Sequence, residues 1–78
     1  MNRSTLKQAG EALWGPQYRS EMARQLDVSL RTVMRWDAGD TPVPPVAVER
    51  LYGLLIKRQA EMAKLVAKLA AERKGETS

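Results

Sequence analysis

Cysteine and histidine are both absent from the 78 residues, and each absence removes chemistry. Without cysteine there is no disulfide, no thiolate nucleophile and no zinc finger, and without histidine there is no imidazole base. The carboxylates are scattered, with no pair spaced for acid–base work, and no glycine-rich loop is present to cradle a phosphate. Catalysis, a metal site and a cofactor are therefore not expected, and no pocket for a small-molecule effector suggests itself. No apolar run approaches the ~18 residues of a membrane span, and no signal-peptide pattern opens the chain, so a soluble cytoplasmic protein is the expectation. A chain of this length makes one small domain with a limited core, a size at which oligomerisation commonly adds stability.

What is present is an excess of basic residues. Thirteen Lys and Arg stand against nine Asp and Glu, a net charge of +4, which suits a polyanionic partner. Residues 1–47 hold six basic and five acidic side chains, whereas 48–78 hold seven and four. Affinity of the first part for a polyanion must then come from local placement, chiefly of Arg19, Arg24, Arg31 and Arg35. The surplus in the second part can simply keep a long helix soluble.

Residues 19–38 concentrate the functional signal. Met22, Ala23 and Leu26 fall at helical spacing and give a first short helix one apolar face; Ala23 is small where a second helix must cross closely. Asp27 and Val28 make a turn. Ser29 then stands just before a new periodic run, where its hydroxyl can cap the next helix. Val33 and Trp36 point inward from that second helix. At ~100° per residue, Arg31 and Arg35 lie on its opposite side, Leu30 and Met34 on one flank and Thr32 on the other. The helix thus has an anchored back and a basic front. Arginines in this setting can also be no more than a solvated helix face, but the cap and the Ala–Val–Val–Trp frame point further.

On Ala23, Val28, Val33 and Trp36, and on the run Val28 to Val33 followed by Arg35, Trp36 and Gly39, the chain resembles the helix-turn-helix family. It is most similar to the lambda-repressor-like and Xre-type regulators of phages and bacteria, over about residues 5–50. One position departs: where the family often has glycine in the turn, Asp27 stands here, a residue that tolerates left-handed backbone better than most. The resemblance implies an all-α, lambda-repressor-like domain of three to four helices that binds double-stranded DNA through a recognition helix over about 29–38. Arg31 would read a base, guanine by preference, with a bidentate pair, and Arg35 would meet a base or a phosphate. Leu30 and Met34 would touch thymine methyl groups. Ser29, Thr32, Gln17 and Arg19 would contact phosphate. A basic Arg19 in the first turn of its helix opposes the helix dipole, a cost that a phosphate partner would offset.

The rest is organisation. Ser4 is a candidate cap for a first helix over about 5–13, with Leu6, Ala9, Leu13 and Trp14 inward and Gly15-Pro16 ending it. A second helix begins near Gln17 or Tyr18 and runs to Leu26. Gly39 closes the recognition helix, and residues 40–45, with three prolines, form a stiff connector from which Val43 and Val46 return to the core. From Pro45 to about Arg73 runs one helical pattern, or two broken near Gly53 or Lys57. Within it Val48, Tyr52, Leu55, Gln59, Met62, Val66 and Leu69 are spaced 4, 3, 4, 3, 4, 3, and Leu51 and Leu65 widen the stripe. Such spacing is the seam of helices that pack on one another. Three regions result: residues 1–47 as the DNA-binding domain, 48–74 as a long helix that covers the core and then dimerises, and a disordered tail at 75–78. The expected interface between copies comprises Tyr52, Leu55, Gln59, Met62, Val66 and Leu69, with Gln59 fixing register, and such a homodimer binds inverted half-sites about one turn of DNA apart, roughly 34 Å.

The expected function is transcriptional regulation, as a repressor in the first instance. An excisionase-like architectural factor and an antitoxin are alternatives within DNA binding. A protein-interaction module acting through the long helix is the alternative outside it. Contact with a membrane surface is disfavoured, since the apolar face of the long helix is rich in alanine and carries neither Trp nor Phe.

Overall fold

The computed structural model describes residues 1–76. Four helices follow one another, α1 (Arg3–Trp14), α2 (Tyr18–Leu26), α3 (Leu30–Ala38) and α4 (Pro45–Glu76), and no strand occurs among the described residues. The first three helices pack on one another, and α4 lies against α1. All-α architecture with a long C-terminal helix is as the sequence predicts.

Local chemistry sets the boundaries. Asn2, not Ser4, caps α1: its Oδ1 accepts from the Thr5 N–H at 2.8 Å. Asn and Ser are comparable caps, so the earlier one prevails and lengthens the helix. Ser4 lies within it, where its hydroxyl accepts from the Gln8 side chain at 3.4 Å. Gly15 ends α1 at φ 87°. Asp27 closes α2 in the left-handed region, at φ 56° and ψ 48°, with its N–H bonded back to the Ala23 and Arg24 carbonyls. The residue that departs from the glycine pattern therefore adopts the backbone a glycine would supply. Ser29 caps α3 through its hydroxyl, which accepts from the Thr32 N–H at 3.1 Å. Gly39 ends it, left-handed at φ 81°.

The core draws on every helix. Leu6, Met22, Val33 and Leu51 are its most enclosed side chains, and Leu13, Tyr18, Leu26, Trp36 and Ala47 surround them. Gly10 explains how α1 and α2 approach so closely, because a Cβ there would fall 2.3 Å from the Tyr18 ring. Val43 returns to the core from the connector as expected, but Val46 does not: it is 65% exposed. Helix α4 has already begun at Pro45, so Ala47, one step further round, takes the inward place.

Helix α4 is unbroken. Gly53 sits in open space on its outer side, and the ~1 kcal/mol that a helical glycine costs is carried by the Leu-, Lys- and Ala-rich turns on either side. The helix also continues through Gly75 and Glu76, where a disordered tail was expected; the remainder of that expected tail lies outside the described residues. Its inward face is rotated from the expected line. Leu51 is fully buried, Val48, Leu54 and Leu55 pack at the rim of the core, and Tyr52 is exposed. At ~1.5 Å per residue the 32 residues make a rod about 48 Å long, which extends well past the domain body. The radius of gyration is accordingly 16.2 Å and the extents are 56 × 21 × 20 Å, against about 11–12 Å for a compact chain of this size.

Candidate nucleic-acid interface

Helix α3 is held from behind and bare in front. Val33 and Trp36 are buried; Leu30, Arg31, Met34 and Arg35 are exposed, and Thr32 is half-buried. The sequence-predicted division of the helix into back and front is what the structure has. Beside α3 lies the start of α2, and a shallow open groove between them is lined by Pro16, Gln17, Arg19, Ser20, Leu30 and Met34. Four of the expected contact residues, from two helices, are thus brought to one concavity. Arg31 and Arg35 stand on the outer crest of α3, next to it.

The polar groups of this face have definite partners. Ser29 Oγ and Thr32 Oγ1 are 2.9 Å apart and share a hydrogen bond. When Thr32 donates in that pair, the Ser29 O–H is left to donate outward. Gln17 precedes α2 but makes no capping bond with its side chain, so its amide is uncommitted and the first N–H groups of α2 lack a side-chain cap.

Arg19 has a partner within the protein that the local pattern does not show: its Nε donates to Asp37 Oδ2 at 2.5 Å, and its Nη2 reaches the same oxygen. Asp37 therefore offsets the unfavourable position of Arg19 against the α2 dipole, within the protein itself. Donors on the other edge of the guanidinium remain, since arginine carries five in a planar fork.

The Asp37 cluster was not legible from the sequence. The Tyr18 hydroxyl donates to Asp37 Oδ1 at 2.7 Å, and the Arg19 guanidinium lies 5.7 Å from the Tyr18 ring centroid. Burial pushes the Tyr18 hydroxyl up to about 12, with the Asp37 carboxylate beside it adding to the shift. For Asp37 burial acts to raise the carboxyl, but the hydrogen bonds from Tyr18 and Arg19 outweigh it and hold the group below its ordinary value. Arg19 is raised in turn, first by its hydrogen bond to Asp37. Further along, Arg3 Nη1 donates to the Ala38 carbonyl at 2.9 Å, satisfying an end group of α3 from α1. Asp37 and Arg3 together tie the C-terminal end of α3 to both preceding helices, which fixes the direction in which its exposed face points.

The expected interface residues on α4 divide. Leu55 is half-buried against the domain, whereas Tyr52, Gln59, Met62, Val66 and Leu69 are exposed, and so are Ile56 and Leu65, which the 4-3 line passes by. Among the described residues no group of acidic side chains is arranged to hold a metal ion, and no helix is long and apolar enough to cross a membrane.

The chain matches no family model, no curated protein and no solved structure. The functional reading therefore rests on the residues and their geometry.

Proposed function

We propose that this protein is a sequence-specific, double-stranded-DNA-binding regulator that acts as a homodimer, with α3 entering the major groove. The observation that carries the reading is the exposed row Leu30, Arg31, Met34 and Arg35 on a helix whose opposite face is locked into the core by Val33 and Trp36. A helix fits the major groove, and arginine is the side chain that reads guanine there with two parallel bonds. Mixed apolar and guanidinium chemistry on one face is what base edges and thymine methyl groups call for. Gln17, the outer edge of Arg19 and the uncapped start of α2 border that face and suit phosphate, as does the Ser29 hydroxyl. Arg35 serves a base or a phosphate. Whether the regulator represses, acts as an antitoxin or shapes DNA depends on the operator and its neighbours.

The test is binding measured against salt and sequence together. Phosphate contacts release counterions, so affinity should fall steeply and linearly on a double-logarithmic plot. Arg31→Ala should cost about 1–3 kcal/mol on a selected site and relax preference at one base pair. Binding that ignores salt, or an Arg31→Ala variant weakened equally on every duplex, contradicts the reading. A protein partner held by apolar contacts responds little to salt, and that outcome would transfer the function to α4.

A further inference from the structure

The face of α4 that covers the core does not stop where the domain stops. At ~100° per residue, Met62, Leu65 and Leu69 lie within about 40° of Leu51, on the same side of the helix. Leu51 is fully buried, whereas the other three are between 51% and 62% exposed. Half-buried Arg58 marks the edge of the domain body, and beyond it the apolar face is bare.

The charges beside that face have an order. Arg58 lies on the Leu51 line itself and closes one end of the bare face with a positive charge, Glu72 closes the other end with a negative one, and Glu61 and Lys68 fall along one flank between them. Between residues 58 and 72 the other flank holds Gln59, Ala63, Val66 and Ala70 and carries no charge. A two-fold axis perpendicular to a pair of antiparallel helices brings equal flanks together with the direction reversed. With the axis near Leu65, Arg58 meets the partner's Glu72, and Glu61 meets the partner's Lys68. The same axis sets Met62 against the partner's Leu69 and Leu65 against the partner's Val66. The two charge pairs and the apolar set therefore share one centre to within a residue. Side-by-side parallel helices instead set the charged flank of one chain against the uncharged flank of the other.

Sterics agree with the charges. Packed helices lie about 8–10 Å apart. A parallel pair would place both domain bodies on the inner side of the helices, within that gap, but the molecule is about 20 Å across its two short axes. An antiparallel pair puts the bodies at opposite ends. The geometry points to an antiparallel dimer of this chain, formed by residues 58–72 of α4 about an axis at Leu65 and stapled by Arg58–Glu72 and Glu61–Lys68 pairs. It rests on the homodimer part of the proposed function and is independent of the DNA part. The overlap is about 22 Å, and the two domain cores, at Leu51, stand about 42 Å apart along the rod.

The chain has no native cysteine, so single spin labels can be placed cleanly in the full-length protein. Gly53→Cys and Lys64→Cys both lie on the outer side of α4, away from the seam. Pulsed dipolar spectroscopy at high micromolar protein reads the distance between the two copies of each label. The antiparallel pair gives axial separations of about 36 Å at position 53 and about 3 Å at position 64, so the first distance clearly exceeds the second. Equal distances at the two sites mean a parallel pair and overturn the proposal. No dipolar modulation at either site means a monomer, which overturns it together with the homodimer reading, whatever the DNA experiments show. Charge reversal gives a second readout: Glu61→Lys and Lys68→Glu singly should each weaken dimerisation about ten-fold, and the double variant should recover it. Failure of the double variant to recover, with the protein folded, contradicts the pairing.

Discussion

The two halves of α4 carry apolar residues at the same spacing, yet Leu51 is fully buried while Leu69, directly in line with it, is 62% exposed. The first half is the fourth wall of a core; the second half has the composition of a wall and nothing behind it. Helix propensity alone can maintain the second half, since Ala, Leu, Lys and Glu dominate it. Propensity does not account for Met62, Leu65, Val66 and Leu69 on one side, because a solvated helix gains nothing from them. Apolar side chains in the domain body contribute to folding, and in the proposed dimer those in the projecting half contribute to association.

Substitutions should separate the halves sharply. The largest effect is expected for Trp36→Ala, which empties a core position shared by α3 and the connector and should cost ~3–5 kcal/mol of folding stability. Chemical denaturation reads it, and an unchanged midpoint would remove Trp36 from the core. Asp37→Ala should come next. It leaves the buried Tyr18 hydroxyl without its acceptor, a loss of about 1–3 kcal/mol, and frees the end of α3, so DNA affinity should fall as well. That Asp37 effect depends on pH. Because the folded carboxyl lies below its ordinary value, its stabilising contribution is present above the unfolded value of about 4 and is lost as pH falls through the lower folded one. The stability gap between wild type and Asp37→Asn should therefore close in acid; a gap that persists unchanged there would show that the carboxylate charge is not what matters. At the alkaline end the raised Tyr18 group contributes fully below about 10 and loses that contribution as pH climbs towards 12. The smallest effect on the folded monomer belongs to Leu69→Ala. Thermal melts at high dilution should match wild type, while sedimentation at high concentration should show less dimer. Destabilisation of the dilute protein would mean that Leu69 folds back onto its own domain.

What could be read from the sequence, and what could not, divides along chain distance. The turn between α2 and α3, the Ser29 cap, the Gly15 and Gly39 stops and the buried Val33 and Trp36 follow from chemistry within a few residues, and all were legible. So was the division of α3 into a back and a front, which needs only the helical period. Asp37 was not, because Tyr18 and Arg19 reach it from 19 and 18 residues away and nothing in the local pattern marks the pairing. The first-turn position of Arg19 is legible, but its offsetting charge comes from α3. The rotation of α4 is illegible for another reason. Two neighbouring lines share Leu55, Met62 and Leu69, one completed by Tyr52, Gln59 and Val66 and the other by Leu51, Arg58 and Leu65, and both alternate by four and three. Periodicity cannot rank them; the packing of the domain does, and it selects Leu51.

The most direct test of the central claim is selection of bound sequences from a random duplex library by the purified, folded protein at moderate salt. Enrichment of an inverted repeat is the predicted result, and it would establish both the reading of DNA by α3 and the symmetric dimer. A folded protein that enriches no sequence would contradict the account of α3 as a recognition helix.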